Sequence, residues 1–202
     1  MKLKNVIGLM SGTSMDGINA SLVKTNGEAL EQTGYQIISN YNETTARLLK
    51  EYIFNYHKLK NNKDFEKQVS NEIVTDHNNA ITKLNRLSGI KPDLIGFHGQ
   101  TVFHNSLKKI SVQIGSGYLL SKMCKIKVVS EFRQKDIENG GEGAPISPIY
   151  HKLLMKKFNF DLPCCFINIG GVSNITYWDG HNLIGFDMGP GNGLMDIYCQ
   201  KI

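Results

Sequence analysis

Two strand-like apolar runs, residues 5–10 and 18–24, flank the segment Ser11-Gly-Thr-Ser-Met-Asp-Gly17, and no other feature restricts the chain as much. Apolar and β-branched residues favour extended backbone, whereas Ser, Thr, Asp and Gly tolerate turns and bond to their own backbone. The pattern predicts a hairpin with a polar tip. Asn26-Gly27 is a second tight-turn signal and leads into a third strand near residues 35–40, so the chain opens as a meander.

One helix is predicted over residues 43–54. A stronger one follows where Phe65, Val69, Ile73, Ala80, Ile81, Leu84 and Leu87 recur at spacings of three and four, with Gly89 as its cap. After Pro92, residues 94–97 read as a short buried strand that delivers His98-Gly-Gln-Thr101 at its carboxyl end. Strands at 111–114 and 127–130 enclose a short helix around 117–122. Strands alternating with helices specify an α/β sheet. The loop Asn139-Gly-Gly-Glu-Gly-Ala-Pro145 is rich in glycine, which places a domain junction near residue 133. Residues 1–133 then form one unit and 134–202 begin a second. That second unit carries a helix at 146–157, strands at 164–169 and 174–178, a turn at Asp179-Gly180, and a helix starting near Leu194. With so few elements to cover its sheet, it is expected to be unfinished.

Composition narrows the function. At 41% hydrophobic and 20% charged residues, the chain has the make-up of a folded globular protein. No run approaches the roughly 20 apolar residues of a membrane helix, and residues 6–10 are too short for an export signal before Asp16. The net charge of +5 comes from scattered lysines, which disfavours nucleic acid as partner. Cys124, Cys164, Cys165 and Cys199 lack metal or redox spacing and suit a reducing cytoplasm.

Two constellations carry chemistry. In Gly8-Leu-Met-Ser-Gly-Thr-Ser-Met-Asp-Gly17 the glycines let backbone N–H groups approach an anion, and Ser11, Thr13 and Ser14 add donors. Asp16 among them suits a magnesium ion held against phosphate oxygens. A polar hairpin tip closed by an Asx-turn explains the same residue types equally well. In Phe186-Asp-Met-Gly-Pro-Gly-Asn-Gly193 an acidic residue stands between an apolar strand and a glycine-rich helix entry. Gly189, Gly191 and Asn192 could meet a phosphate there, with Asp187 as base or metal ligand. The competing reading is a glycine-rich connection with Asp187 as helix cap. No single phosphate loop of the G-x-x-x-x-G-K-[ST] type occurs. His98, Gln100, Thr101 and Arg133 form a third, polar group: His and Gln edges bind sugar hydroxyls and Arg grips carboxylates. His57, His77 and His104 are read as solvated or core residues. No His/Cys cluster has zinc spacing.

The strings IGLMSGTSMDGINASLV, IGFHGQTVFH, SEFRQKDIENGGEGAP, NIGGVSNIT and GFDMGPGN, in this order, resemble the anhydro-N-acetylmuramic acid kinases. Departures are few: Glu131 stands where Asp is commoner, Glu142 where Gln is, and Met188 where Thr is. The resemblance implies an α/β fold of two ribonuclease-H-like, actin/hexokinase-type lobes, the first complete and the second truncated. It implies ATP and Mg2+, a cell-wall-derived anhydro sugar, and a cytoplasmic enzyme of peptidoglycan recycling. Gly12, Thr13, Ser14, Met15, Asp16, Gly17, Ile18 and Asn19 would line the ATP phosphates. His98, Gln100, Thr101 and Arg133 would lie near the sugar, and Asp187 would act as base. Family members are longer, so a homodimer or a partner chain supplying the rest of the second lobe is expected. The alternative, from another class, is a non-catalytic remnant that at most binds a muramyl sugar. A chaperone-like ATPase of the same superfamily would explain the phosphate turns but neither HGQTVFH nor the Arg133 loop.

Overall fold

The computed structural model describes residues 2–12, 17–105 and 108–199. The chain opens with β1 (Lys4–Ser11), β2 (Ile18–Thr25) and β3 (Leu30–Ser39), then α1 (Glu43–Phe54), α2 (Tyr56–Leu59) and α3 (Lys63–Ser88). Next come β4 (Leu94–Asn105), β5 (Ile110–Ile114), α4 (Gly117–Cys124), β6 (Val128–Val129) and α5 (Phe132–Glu138). Then follow α6 (Pro148–Lys157), β7 (Cys164–Ile169), β8 (Val172–Trp178), β9 (Leu183–Pro190) and α7 (Gly193–Cys199).

The first sheet runs β3-β2-β1-β4-β5, with β6 also paired to β4. The hairpins β1–β2 and β2–β3 are antiparallel, and β4 joins β1 in parallel. That parallel step is possible because α1 to α3 carry the chain back across one face, as a parallel connection requires. The alternation of β1 and β2 sends Ile7, Leu9, Ile18, Ala20 and Leu22 to that face, where they meet Leu48, Leu49 and Tyr52 of α1 and Val69, Ile73, Ala80 and Leu84 of α3. Each helix starts on an asparagine whose side chain takes a free N–H: Asn42 accepts from Thr45 and Asn62 from Phe65. Gly89 closes α3 at φ 65°, as its position predicts.

The second sheet is the antiparallel meander β7-β8-β9. Its α6-facing side holds Phe166, Thr176 and Trp178, with the His151 ring stacked on Phe166 and bonded to Thr176 Oγ1 at 2.7 Å. Ile167, Ile184 and Phe186 lie on the opposite side, exposed. The expected junction at residue 133 falls within α5, which packs on β5 of the first sheet.

Two expectations, for β4 and β3, need correction, and one helix carries no sequence signal. The strand read as residues 94–97 extends to Asn105, so His98, Gln100 and Thr101 sit inside β4 and not at its end. Gly99 is accommodated in the strand as a bulge. Residues 132–138 form a helix although Glu131 enters it in a left-handed conformation at φ 63°, a start that no side-chain cap announces. The third strand begins at Leu30, ahead of the predicted residue 35.

Candidate functional site

β4 is the hub of the site because its pairing is irregular on both sides. Its register shifts against β1 between Leu9 and Ser11 and against β5 between Thr101 and Phe103. Gly99 adopts φ 73°, and a Cβ there would stand 2.8 Å from the Ile114 carbonyl. Only glycine fits, and its turn aims the flanking His98 and Gln100 at different partners.

His98 has a single consistent proton arrangement. Its Nδ1 lies 2.7 Å from the Gly99 carbonyl, which can only accept, so Nδ1 carries the hydrogen. Its Nε2 then accepts from Arg133 Nε–H at 2.7 Å. Burial, joined by the Arg133 charge, pulls the His98 pKa down to about 4. His98 is therefore a neutral acceptor that orients Arg133. Arg133 Nη1 donates to the Gly143 carbonyl at 2.7 Å, and Asp136, one turn further along α5, accepts from Gly143 N–H at 2.8 Å. The pair clamps the glycine loop through both backbone groups of one residue, Gly143.

Arg133 is buried, which lowers its pKa, while Asp187 on β9 opposes that shift. The Asp187 charge also acts on His104, whose pKa is lowered by burial and by Arg133. Asp187 itself is exposed. His98, His104, Arg133 and Asp187, drawn from both sheets and α5, thus share one electrostatic environment. Beside them lies a cavity of about 300 Å³ lined by His98, Ser111, Gln113, Ser130, Glu131 and Gln134. Gln113 Nε2 donates to Ser111 Oγ at 2.8 Å and to Thr101 Oγ1 at 3.3 Å, which fixes the Thr101 hydroxyl on this wall.

Gln100 faces the other way. It is 0% exposed, its Oε1 accepts from Tyr41 O–H at 3.0 Å, and its Nε2 donates to the carbonyls of Gly12 at 3.0 Å and Thr101 at 3.3 Å. Its amide is committed to the root of the first hairpin. Of that hairpin, Gly12, Gly17, Ile18 and Asn19 are described; Thr13, Ser14, Met15 and Asp16 lie outside the described residues. The Ile18 side chain is buried in the core and its residue pairs with Ser11 of β1 and Ser39 of β3, whereas Asn19 points from the exposed face of β2.

At the second glycine-rich turn the amides are already engaged. Gly191 N–H donates to Gly171 O at 3.0 Å and Asn192 N–H to Gly170 O at 2.8 Å. A Cβ on Gly191 would collide with the Gly170 carbonyl, so this glycine serves the docking of one turn on the other. Gly189 sits at φ 147° with open space around it. Asn192 Oδ1 is buried without a hydrogen-bond partner. As an acceptor it suits a hydroxyl better than a phosphate oxygen.

Residue reading missed Tyr41, His77, His104 and Gln113 as members of this framework, and Ser11, read as a phosphate donor, gives its hydroxyl to the Gly99 carbonyl. His104 is two residues beyond a bulge, so simple alternation from His98 does not place it. Among the described residues no group of three or more His, Cys, Asp or Glu side chains could hold a metal ion, and no helix is long and apolar enough to cross a membrane.

Comparison with known proteins agrees with the motifs. The chain is 39% identical to the anhydro-N-acetylmuramic acid kinase of Pelagibacter ubique over 99% of its own length and 55% of that protein's. It is 41% identical to the enzyme of that name from Rhodopseudomonas palustris, over 98% of this chain and 56% of that one. The chain thus spans about half the length of the curated relatives it matches. A solved exopolyphosphatase-like protein superposes with a TM-score of 0.48 at 10% identity, over 95% of this chain and 52% of that one, too distant to bear on function. The family model for anhydro-N-acetylmuramic acid kinase matches residues 4–202, and the chain belongs to that family.

Proposed function

We propose that this chain supplies the phosphate-gripping hairpin and the sugar-facing wall of an ATP-dependent kinase that converts 1,6-anhydro-N-acetylmuramic acid and water to N-acetylmuramic acid 6-phosphate. The observation that carries this reading is the half-buried Arg133 guanidinium, held by His98 Nε2 and Gly143 O beside a cavity of about 300 Å³, with the Asp187 charge acting on it from the second sheet.

In this reading Asp187 takes a proton from the water that attacks the anomeric carbon. The new C–O bond forms as the anhydro bridge breaks, and the released sugar oxygen accepts the γ-phosphoryl group of ATP with ADP leaving. His98 holds Arg133 by one N–H and Gly143 O by another, so the remaining guanidinium N–H groups can meet the muramyl carboxylate in a fixed orientation. Thr101, pinned by Gln113, offers its hydroxyl beside the sugar. Gln100 acts by supporting Gly12 rather than by touching the sugar. Gly12, Gly17, Ile18 and Asn19 would line the phosphates, and Thr13, Ser14, Met15 and Asp16 are assigned there by the family resemblance alone. A Mg2+ ion would neutralise phosphate charge there, with Asp16 as the ligand the family resemblance names. Gly189 and Asn192 approach the nucleotide from the other side, Asn192 through its unsatisfied carbonyl oxygen.

The six-stranded sheet with its helices corresponds to the first ribonuclease-H-like lobe, residues 1–133, and the three-stranded sheet to the start of the second, from residue 134. The adenosine pocket belongs to the part of the relatives that lies beyond the matched stretch, supplied by further sequence or by a partner chain. Cys124, Cys164, Cys165 and Cys199 are free, in keeping with a cytoplasmic setting.

The test is transfer of radiolabelled γ-phosphate to 1,6-anhydro-N-acetylmuramic acid by the 202-residue chain beside Asp187→Asn. Transfer abolished by the substitution supports the reading. Undiminished transfer by the variant overturns the role of Asp187. Absence of transfer in folded protein that still binds the sugar limits the chain to a binding half.

A further inference from the structure

Three consecutive residues of β4 hold two separate parts of the site. Gln100 bonds to Gly12 at the hairpin root, His98 bonds to Arg133, and the Gly99 carbonyl between them accepts from both His98 Nδ1–H and Ser11 Oγ–H, the latter at 3.1 Å. Ser11 is the last residue of β1 and the neighbour of Gly12. Its Oγ also lies 3.3 Å from His77 Nε2. His77, fully buried on α3, donates Nδ1–H to the Ile73 carbonyl at 2.7 Å, so in its neutral form Nε2 carries a lone pair. The single Ser11 proton is therefore shared between two buried acceptors, Gly99 O and His77 Nε2. Burial holds the His77 ring neutral, with a pKa of about 4.

We infer that Ser11 and His77 are positioning residues: through the Gly99 carbonyl they set the hairpin root and the Arg133 guanidinium as one unit. Polar contacts run from Ile73 through His77, Ser11, Gly99 and His98 to Arg133 and Gly143, with the one Ser11 proton divided between Gly99 O and His77 Nε2 and the His77 ring holding the Ser11 hydroxyl in place. Gly99 is the joint that needs pinning, because a glycine at φ 73° has no side chain to stop its peptide from turning. If that carbonyl turns, His98 loses the acceptor that fixes its tautomer, and Arg133 loses the lone pair that fixes its plane. The inference gives these residues a functional meaning only within the proposed kinase reading, in which the hairpin meets phosphate and Arg133 meets the sugar.

The experiment needs no ligand, so its failure is distinct from failure of that reading. In the 15N-labelled 202-residue chain, the Arg133 Nε–H signal is identified by its disappearance in Arg133→Lys, and its exchange with water is measured near neutral pH. Ser11→Ala and His77→Phe should each speed that exchange about tenfold, the effect of losing one buried hydrogen bond. His77→Gln, which keeps a hydrogen-bonding group at the Nε2 position, should stay within about twofold of the parent. Thr82→Ala, which removes an exposed hydroxyl bond on the same helix, should leave it unchanged. Parent-like exchange in His77→Phe overturns the proposal, and so does equal acceleration in His77→Phe and His77→Gln. If Ser11→Ala fails to fold, the two His77 variants decide the matter. A parent chain that binds neither ATP nor the sugar would overturn the kinase reading and leave the network standing.

Discussion

The two sheets contrast in how they hold their apolar residues and their functional groups. On the first, Ile7, Ile18, Ile95 and Phe97 are fully buried beneath α1 and α3, and the polar residues between them are bonded in a continuous set. On the second, one face packs on α6 while Ile167 is 57% and Phe186 50% exposed on the other, and Asp187 stands in solvent. The first region is rigid by construction and suited to fixing donors in place. The second presents an exposed carboxylate, Asp187. Under the proposed kinase reading, this division would pair a preorganised wall with an accessible base.

The sharpest way to break that comparison is to truncate one apolar side chain on each side. Phe97→Ala, which deletes a fully buried ring packed edge-on against His77 at 4.9 Å, should cost about 3–5 kcal/mol in denaturant unfolding. Ile167→Ala, on the open face, should change stability by no more than about 0.5 kcal/mol. Comparable losses would mean that the second sheet also buries this face.

Acid should act most strongly on the first region, although burial also lowers the pKa of His151 on the second. His77 and His98 both have pKa values lowered to about 4 by burial, against 6.5 when exposed. The unfolded chain binds more protons between those values, so stability is fully present above pH 6.5 and falls as pH drops towards 4. Each ring contributes on the order of 3 kcal/mol at most. Unfolding free energies measured from pH 7 to 4 should show this slope, and His77→Gln should flatten part of it. A slope unaltered in that variant would show that His77 is not held neutral.

His98→Ala should come next in size. It leaves Arg133 Nε–H without its acceptor in a largely buried place, a loss of about 1–3 kcal/mol, and thermal unfolding of the variant measures it. A neutral result would show that Arg133 relaxes to solvent, and the wall would not be preorganised.

Much of this was legible in the residues, for reasons that differ by region. The α3 period and its Gly89 cap, the Asn26-Gly27 turn and the β1–β2 alternation are local signals, and the elements follow them. The partners of Gln100 were not legible. A glutamine in a polar motif reads as a ligand for sugar, yet a left-handed glycine beside it turns its amide to Tyr41 and Gly12, which are 59 and 88 residues away. Glu131 starting α5 at positive φ hides that helix from any propensity argument. His77 lies on the core-facing stripe and reads as packing alone, because its bond to Ser11 spans 66 residues. Among the glycines of the second turn, contact between Gly191 and the Gly170 carbonyl explains a residue that composition assigns to phosphate.

The smallest expected effect tests the division most finely. Asp187→Asn removes the charge that opposes the desolvation of Arg133, so it should destabilise the fold. Because Asp187 is exposed, water and salt screen that interaction, and Arg133 keeps its bonds to His98 and Gly143 O. The loss in unfolding free energy should stay within about 0.5 kcal/mol and shrink as salt is added. A loss well above 1 kcal/mol, insensitive to salt, would make Asp187 a structural partner of Arg133, because only a desolvated pair escapes screening to that degree. The two regions would then share one buried ion pair, and an accessible base on the second sheet would have to be sought elsewhere.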